Sequence, residues 1–223
     1  MQRAELASMI DHTNLKPNAT EQDIAFLCEE AAEWNTHAVC VNSGWVRYAA
    51  KRLQRHLGRI DIAVCATIGF PLGASSTYAK QLEATEALRD GAKELDVVMN
   101  IGQFKSGNYQ FIENEWWSLK QLAGDRVVKV ILETCYLDHD EIVNACKIAK
   151  STGVDFVKTS TGFASGGAKI YDVALMRRTV GLELGVKAAG GIKDYATAVT
   201  MIEAGANRIG CSNTVKILLE AGN

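Results

Sequence analysis

The chain has 223 residues, among them only two prolines, four scattered histidines and six cysteines with no Cys-x-x-Cys pair. No basic run and no interleaving of basic with aromatic residues is present, and 24 Lys plus Arg against 26 Asp plus Glu leave a formal charge of −2. A nucleic-acid partner is therefore not expected. No segment approaches the ~20 apolar residues that cross a bilayer, and Met1, Gln2, Arg3, Ala4 and Glu5 form no signal-peptide core. The expected location is the cytoplasm, with no membrane partner. There Cys28, Cys40, Cys65, Cys135, Cys146 and Cys211 read as reduced thiols.

Two further absences narrow the chemistry. No Gly-x-Gly-x-x-Gly follows the first expected strand, which argues against a dinucleotide fold. His12, His37, His56 and His139 fall on separate elements without ligand spacing, so no metal site and no cofactor are expected. His37 reads as a strand-start residue, His56 as a helix-surface residue and the lone His12 as structural.

What is present is a core and a rhythm. Hydrophobic residues make up 48% of the chain and charged ones 22%, with no shift in composition, so residues 1–223 are read as one domain. Short runs rich in Val and Ile alternate with amphipathic stretches that close on glycine, as at Gly91, Gly153 and Gly205. Thr20 with Asp23 and Asp138 with Glu141 have capping-box spacing. Ile24, Leu27, Cys28 and Ala31, and later Ile112, Trp116 and Leu119, form helical stripes. Trp116 and Trp117 read as packing residues.

Strands are expected over 8–13, 38–41, 60–68, 94–99, 127–133, 154–158, 186–189 and 208–211. Several are almost uniformly apolar, as parallel strands covered on both faces are, so the expected fold is α/β, a (β/α)₈ TIM barrel; the strand count leaves an open sheet possible.

In such a barrel the working groups lie at the C-terminal ends of the strands. The sixth expected strand ends in Lys158, which could either carry its ammonium to water at the rim or face a pocket. Lys187 stands at a comparable height on the next strand, roughly 4.8 Å away. Two like charges there would depress a lysine pKa and free an amine to attack a carbonyl. Asp96, the carboxylate inside Leu95, Val97, Val98 and Met99, reads both as an ion-pair partner of Lys187 and as a proton relay. Glycine-containing turns follow the last three strands, at Thr161–Gly162, Gly190–Lys193 and Gly210–Asn213. Converging at one end of a barrel, they would form an anion cup.

These residues carry a resemblance. Val157-Lys158-Thr159-Ser160-Thr161-Gly162-Phe163 resembles the Schiff-base motif of the deoxyribose-phosphate aldolases. Ile10-Asp11-His12-Thr13, Leu15-Lys16-Pro17, Val39-Cys40-Val41, Ile68-Gly69-Phe70-Pro71-Leu72-Gly73, Leu95-Asp96-Val97-Val98 and Val186-Lys187-Ala188-Ala189-Gly190-Gly191 are similar to other segments of that family, nearly end to end.

The resemblance implies that Lys158 is the nucleophile and that Asp96 and Lys187 donate and accept protons. It places Asp11, Thr13, Cys40 and Thr161 around the sugar, and Gly162, Gly190, Gly191, Ile192, Lys193, Gly210 and Ser212 around the 5-phosphate. It implies a class I lyase that reversibly cleaves 2-deoxyribose 5-phosphate to glyceraldehyde 3-phosphate and acetaldehyde, acting as a homodimer. Phe163 stands where some members have a lysine and Asn213 where some have serine. Gly222 and Asn223 end the sequence without the C-terminal tyrosine of some members, whose role in proton transfer would be absent or left to water.

Rival readings are a zinc-dependent aldolase, disfavoured by the scattered histidines; a pyridoxal-phosphate enzyme using Lys158 and the same cup; another phosphate-binding Schiff-base barrel; and a non-catalytic sugar-phosphate sensor.

Overall fold

Each apolar run becomes one strand of a closed parallel barrel in sequential order. The computed structural model describes residues 1–59 and 61–222. Ile60, inside the third expected strand, the His56 side chain and Asn223 lie outside the described residues. The strands are β1 (Ile10–Asn14), β2 (Ala38–Asn42), β3 (Ala63–Ile68), β4 (Glu94–Val98), β5 (Val127–Ile131), β6 (Phe156–Lys158), β7 (Gly185–Ala189) and β8 (Arg208–Cys211). Helices α1 (Arg3–Ala7) to α3 (Val46–Lys51) include α2 (Glu21–Trp34). Then come α4 (Thr77–Asp90), α5 (Ile101–Lys105), α6 (Tyr109–Ala123), α7 (His139–Thr152), α8 (Ile170–Val180), α9 (Tyr195–Glu203) and α10 (Thr214–Glu220).

Strands one, three, four, five and six are shorter than the runs that announce them, because the barrel ladder takes in only part of each run. Both expected capping boxes form, at Thr20/Asp23 and Asp138/Glu141. Gly91 and Gly153 close their helices in the left-handed conformation. Trp116 is buried on the inner face of α6 as expected, but Trp117 is 54% exposed and packs no core. None of the described helices is long and apolar enough to cross a membrane.

Strand alternation sorts the residues into two cores. Ile10, Val39, Val64, Ala66, Leu95, Val97, Val128, Val130, Val157, Val186, Ala188 and Ile209 join the layer between sheet and helices. Ala38, Cys40, Ala63 and Cys65, with Leu15, form a separate small cluster, so β2 and β3 fill the barrel interior with small side chains. The other strands fill it with charge: Asp11, Glu94, Asp96, Lys129, Lys158, Lys187 and Arg208 are all buried.

Candidate active site

Asp96 is the hub of this ionic interior. Its Oδ2 accepts from Lys158 Nζ at 2.8 Å and from Lys187 Nζ at 2.7 Å. Its Oδ1 accepts from Lys129 Nζ at 2.9 Å and from the Cys65 thiol at 3.2 Å. Register explains the convergence, since Lys158 pairs with Lys187 across β6 and β7, and Asp96 with Lys129 across β4 and β5. Beneath them Lys129 meets Glu94 at 2.5 Å. Lys187 also donates to Asp11, and Arg208 bridges Asp11 at 2.8 Å and Glu94 at 3.1 Å.

Mutual compensation sets the protonation states. Burial alone would raise the Asp96 carboxyl, but Lys129, Lys158 and Lys187 outweigh it and hold it well below the usual range. Asp11 is held low in the same way by Lys187, Lys129 and Arg208. Burial alone would lower Lys187, yet Asp11 and Asp96 hold its ammonium above its usual value. This corrects the expectation from two like charges: a carboxylate lies between the lysines, and Lys187 is held charged. Burial likewise pushes the Cys65 thiol well up.

A cavity of about 360 Å³ opens over this cluster, a size suited to a small substrate. Lys158 lines it together with Thr13, Thr161, Gly162, Gly190, Gly191, Ile192, Lys193, Gly210 and Ser212, so the three turns do converge. Among the described residues, the amides of Gly162, Gly191 and Ile192 donate to no acceptor of the chain, which leaves donors for an anion. Gly190 packs backbone on backbone with its neighbours: a Cβ on it would lie 3.1 Å from Gly167 Cα and 3.5 Å from Gly162 Cα. Gly210 has another reason to lack a side chain, because a Cβ there would come within 3.0 Å of Lys187 Cε.

The remaining expected residues sit lower. Asp11, Cys40, Asp96 and Lys187 are fully buried and are not part of the cavity lining, and Asp11 contacts Lys187 and Arg208. His12, by contrast, lines the cavity, and its Nε2 lies 2.9 Å from Glu30 of α2. Phe163 lines the cavity and packs edge-on against Phe70, ring centroids 5.1 Å apart.

Sequence reasoning missed Lys129, Glu94 and Arg208, and also Lys16 and Glu133. Lys16 lines the cavity. Lys129 stands at the centre of the apolar run Val127-Val128-Lys129-Val130-Ile131 and is fully buried. The structure also assembles ligand atoms that histidine spacing could not show, since Cys40, Cys65 and Asp96, and Asp11, Cys65 and Glu94, lie within 4.8 Å of one another. Lys129 Nζ already serves as the cation among them, 2.9 Å from Asp96 and 3.4 Å from Cys65.

Fold and site together define a (β/α)₈ barrel enzyme with three buried lysines gathered on one carboxylate. Residues 6–219 match the model of the DeoC/LacD family aldolases, and the chain belongs to that family. It is 53% identical over 220 residues to a deoxyribose-phosphate aldolase of Thermococcus kodakarensis, with 98% of this chain and 97% of that one covered. To a deoxyribose-phosphate aldolase of Thermococcus gammatolerans it is 52% identical over 221 residues, covering 98% and 97%. Its fold is similar to that of a tetrameric deoxyribose phosphate aldolase from Aeropyrum pernix, with a TM-score of 0.90 and 35% identity over 98% of this chain and 91% of that one.

Proposed function

We propose that the protein is a deoxyribose-phosphate aldolase that reversibly cleaves 2-deoxyribose 5-phosphate to glyceraldehyde 3-phosphate and acetaldehyde through a Schiff base on Lys158. One observation carries the reading: of the three lysines that contact Asp96, Lys158 alone lines the cavity. In this reading the cup at Gly162, Gly190–Lys193 and Gly210–Ser212 holds the phosphate, and Thr13 faces the sugar.

Lys158 attacks the C1 aldehyde as a neutral amine. Counting groups, the cluster contains four cations, Lys129, Lys158, Lys187 and Arg208, and three carboxylates, Asp11, Glu94 and Asp96, so loss of one proton from Lys158 balances it. The carbinolamine loses water, and the resulting iminium restores a positive charge 2.8 Å from Asp96. Removal of the C3 hydroxyl proton sends the electrons of the C2–C3 bond into the iminium, releasing glyceraldehyde 3-phosphate and leaving an enamine. Protonation at C2 and hydrolysis release acetaldehyde. Lys187 and Asp96 move protons directly or through water. A homodimer in the cytoplasm is the state we assign to it: the family resemblance implies the dimer, although the Aeropyrum pernix relative is a tetramer, and six cysteines without a disulfide fit a reducing compartment.

Borohydride added with acetaldehyde or deoxyribose 5-phosphate should trap an adduct that peptide mapping places on Lys158. An adduct on Lys187 instead, or none while activity persists, would overturn the assignment.

A further inference from the structure

Glu133 lies just past the end of β5, in left-handed backbone conformation, φ 54° and ψ 63°. A side chain bearing a Cβ adopts this region at an energetic cost, so the surroundings must hold it there. They do: the Leu132 amide donates to Lys158 O and the Thr134 amide to Thr159 O, both at 2.9 Å. The residue between them is thereby turned over the end of β6.

Its carboxylate meets one residue. Thr161 N donates to Oε1 at 3.1 Å and to Oε2 at 3.3 Å, and Thr161 Oγ1 donates to Oε2 at 2.5 Å. Thr161 Oγ1 in turn accepts from the Phe163 amide at 3.0 Å. The chain of bonds Phe163 to Thr161 to Glu133 fixes the turn that contains Gly162, whose amide points to no other acceptor. A threonine hydroxyl has a single proton, and here it is directed inward, so Thr161 cannot offer that proton to a ligand while this contact stands. Burial pushes the Glu133 carboxyl up from its usual range against the pull of the Thr161 bonds and of the Lys158 charge, and the Thr161 contact supplies the hydrogen bonds that a buried carboxylate needs.

We infer that Glu133 is a positioning residue: through Thr161 it holds the Thr161–Phe163 turn in place as one wall of the cup for the substrate's phosphate. The inference rests on the reading of that cup given above. Glu133 hydrogen-bonds no reacting atom, and Lys158 acts on it through charge alone, so its main effect falls on binding of the dianion.

The test is a double-mutant cycle of Glu133→Gln and Thr161→Val, measured with deoxyribose 5-phosphate and with free deoxyribose. Each single variant should raise KM for the phosphorylated sugar about tenfold, the equivalent of one lost charge-assisted hydrogen bond. It should raise the dissociation constant of inorganic phosphate, measured by calorimetry, by a similar factor. Trapping of acetaldehyde by borohydride should fall by much less than KM for the phosphorylated sugar rises, and the double variant should be no worse than the more impaired single one. Unchanged KM and phosphate affinity, equal losses on both sugars, additive effects, or a fall in trapping that matches the fall in kcat/KM would each overturn the inference. If Glu133→Gln does not fold, Thr161→Val carries the same expectations. Failure of the unmodified protein to form a Lys158 adduct would sink the Schiff-base reading instead, and phosphate calorimetry would still decide the role of Glu133.

Discussion

Lys158 and Lys187 stand opposite each other on adjacent strands and donate to the same atom, Asp96 Oδ2, at 2.8 and 2.7 Å. The carboxylate passes the state of one lysine to the other, because a proton lost from either changes what the shared oxygen must compensate.

Lys187→Leu should therefore have two effects. Turnover should fall by ~100-fold or more through loss of one of the two groups proposed to move protons. Stability should also fall, by about 3–5 kcal/mol, since Asp11 and Asp96 each lose a buried partner. Adding Asp11→Asn should recover part of the denaturation midpoint and none of the activity. Retention of most activity at neutral pH with an unchanged pH profile would refute the role given to Lys187.

Lys129 is the foremost of the charges that lower Asp96. Lys129→Met should let the Asp96 carboxyl rise, so the acid limb of kcat/KM should move to higher pH. An acid limb that stays in place would show that Lys129 acts only structurally.

Glu94 supplies a pH dependence of stability. Burial alone would raise its carboxyl, but Lys129, His37 and Arg208 outweigh it and lower it from 4.5 to about 2. A lowered folded value means that the contribution is complete above 4.5 and is lost as pH falls through about 2. A shift of that size corresponds to roughly 3 kcal/mol. The urea midpoint should drop across this window, and Glu94→Gln should flatten the slope.

Prolonged chelation should leave aldolase activity unchanged, because Lys129 occupies the place where a cation would meet Asp96 and Cys65. Loss of activity with recovery on adding zinc would favour metal chemistry.

The cup makes a charge-specific claim. Unphosphorylated deoxyribose should be a much poorer substrate, and inorganic phosphate should compete. Ser212→Glu places an anion in the cavity wall, so it should damage the phosphorylated substrate far more than the free sugar. Equal damage to both would remove the cup.

Much of this was legible in the chain. Eight apolar runs announce the eight strands, and the glycine turns after β6, β7 and β8 lie together as their order suggested. The buried charges were harder to read. Alternation places Lys129 on the face opposite Val128 and Val130, but in a strand covered on both sides the apolar neighbours conceal which face holds the exception. Asp11 and Cys40 were recognised by motif, and only the packed barrel shows that they are not part of the cavity lining. Glu133 gave no periodic signal, because its place depends on a backbone conformation that the residue type does not announce.

The contact between Arg208 and Asp11 joins residues 197 positions apart, on the last and first strands. The site is thus also the seam of the barrel. During synthesis on a ribosome, Asp11 and Glu94 emerge long before Arg208, and no shorter piece of the barrel can offer them that partner. The ionic interior is therefore complete only where the first and last strands meet, so the architecture and the chemistry share one requirement, a closed cylinder.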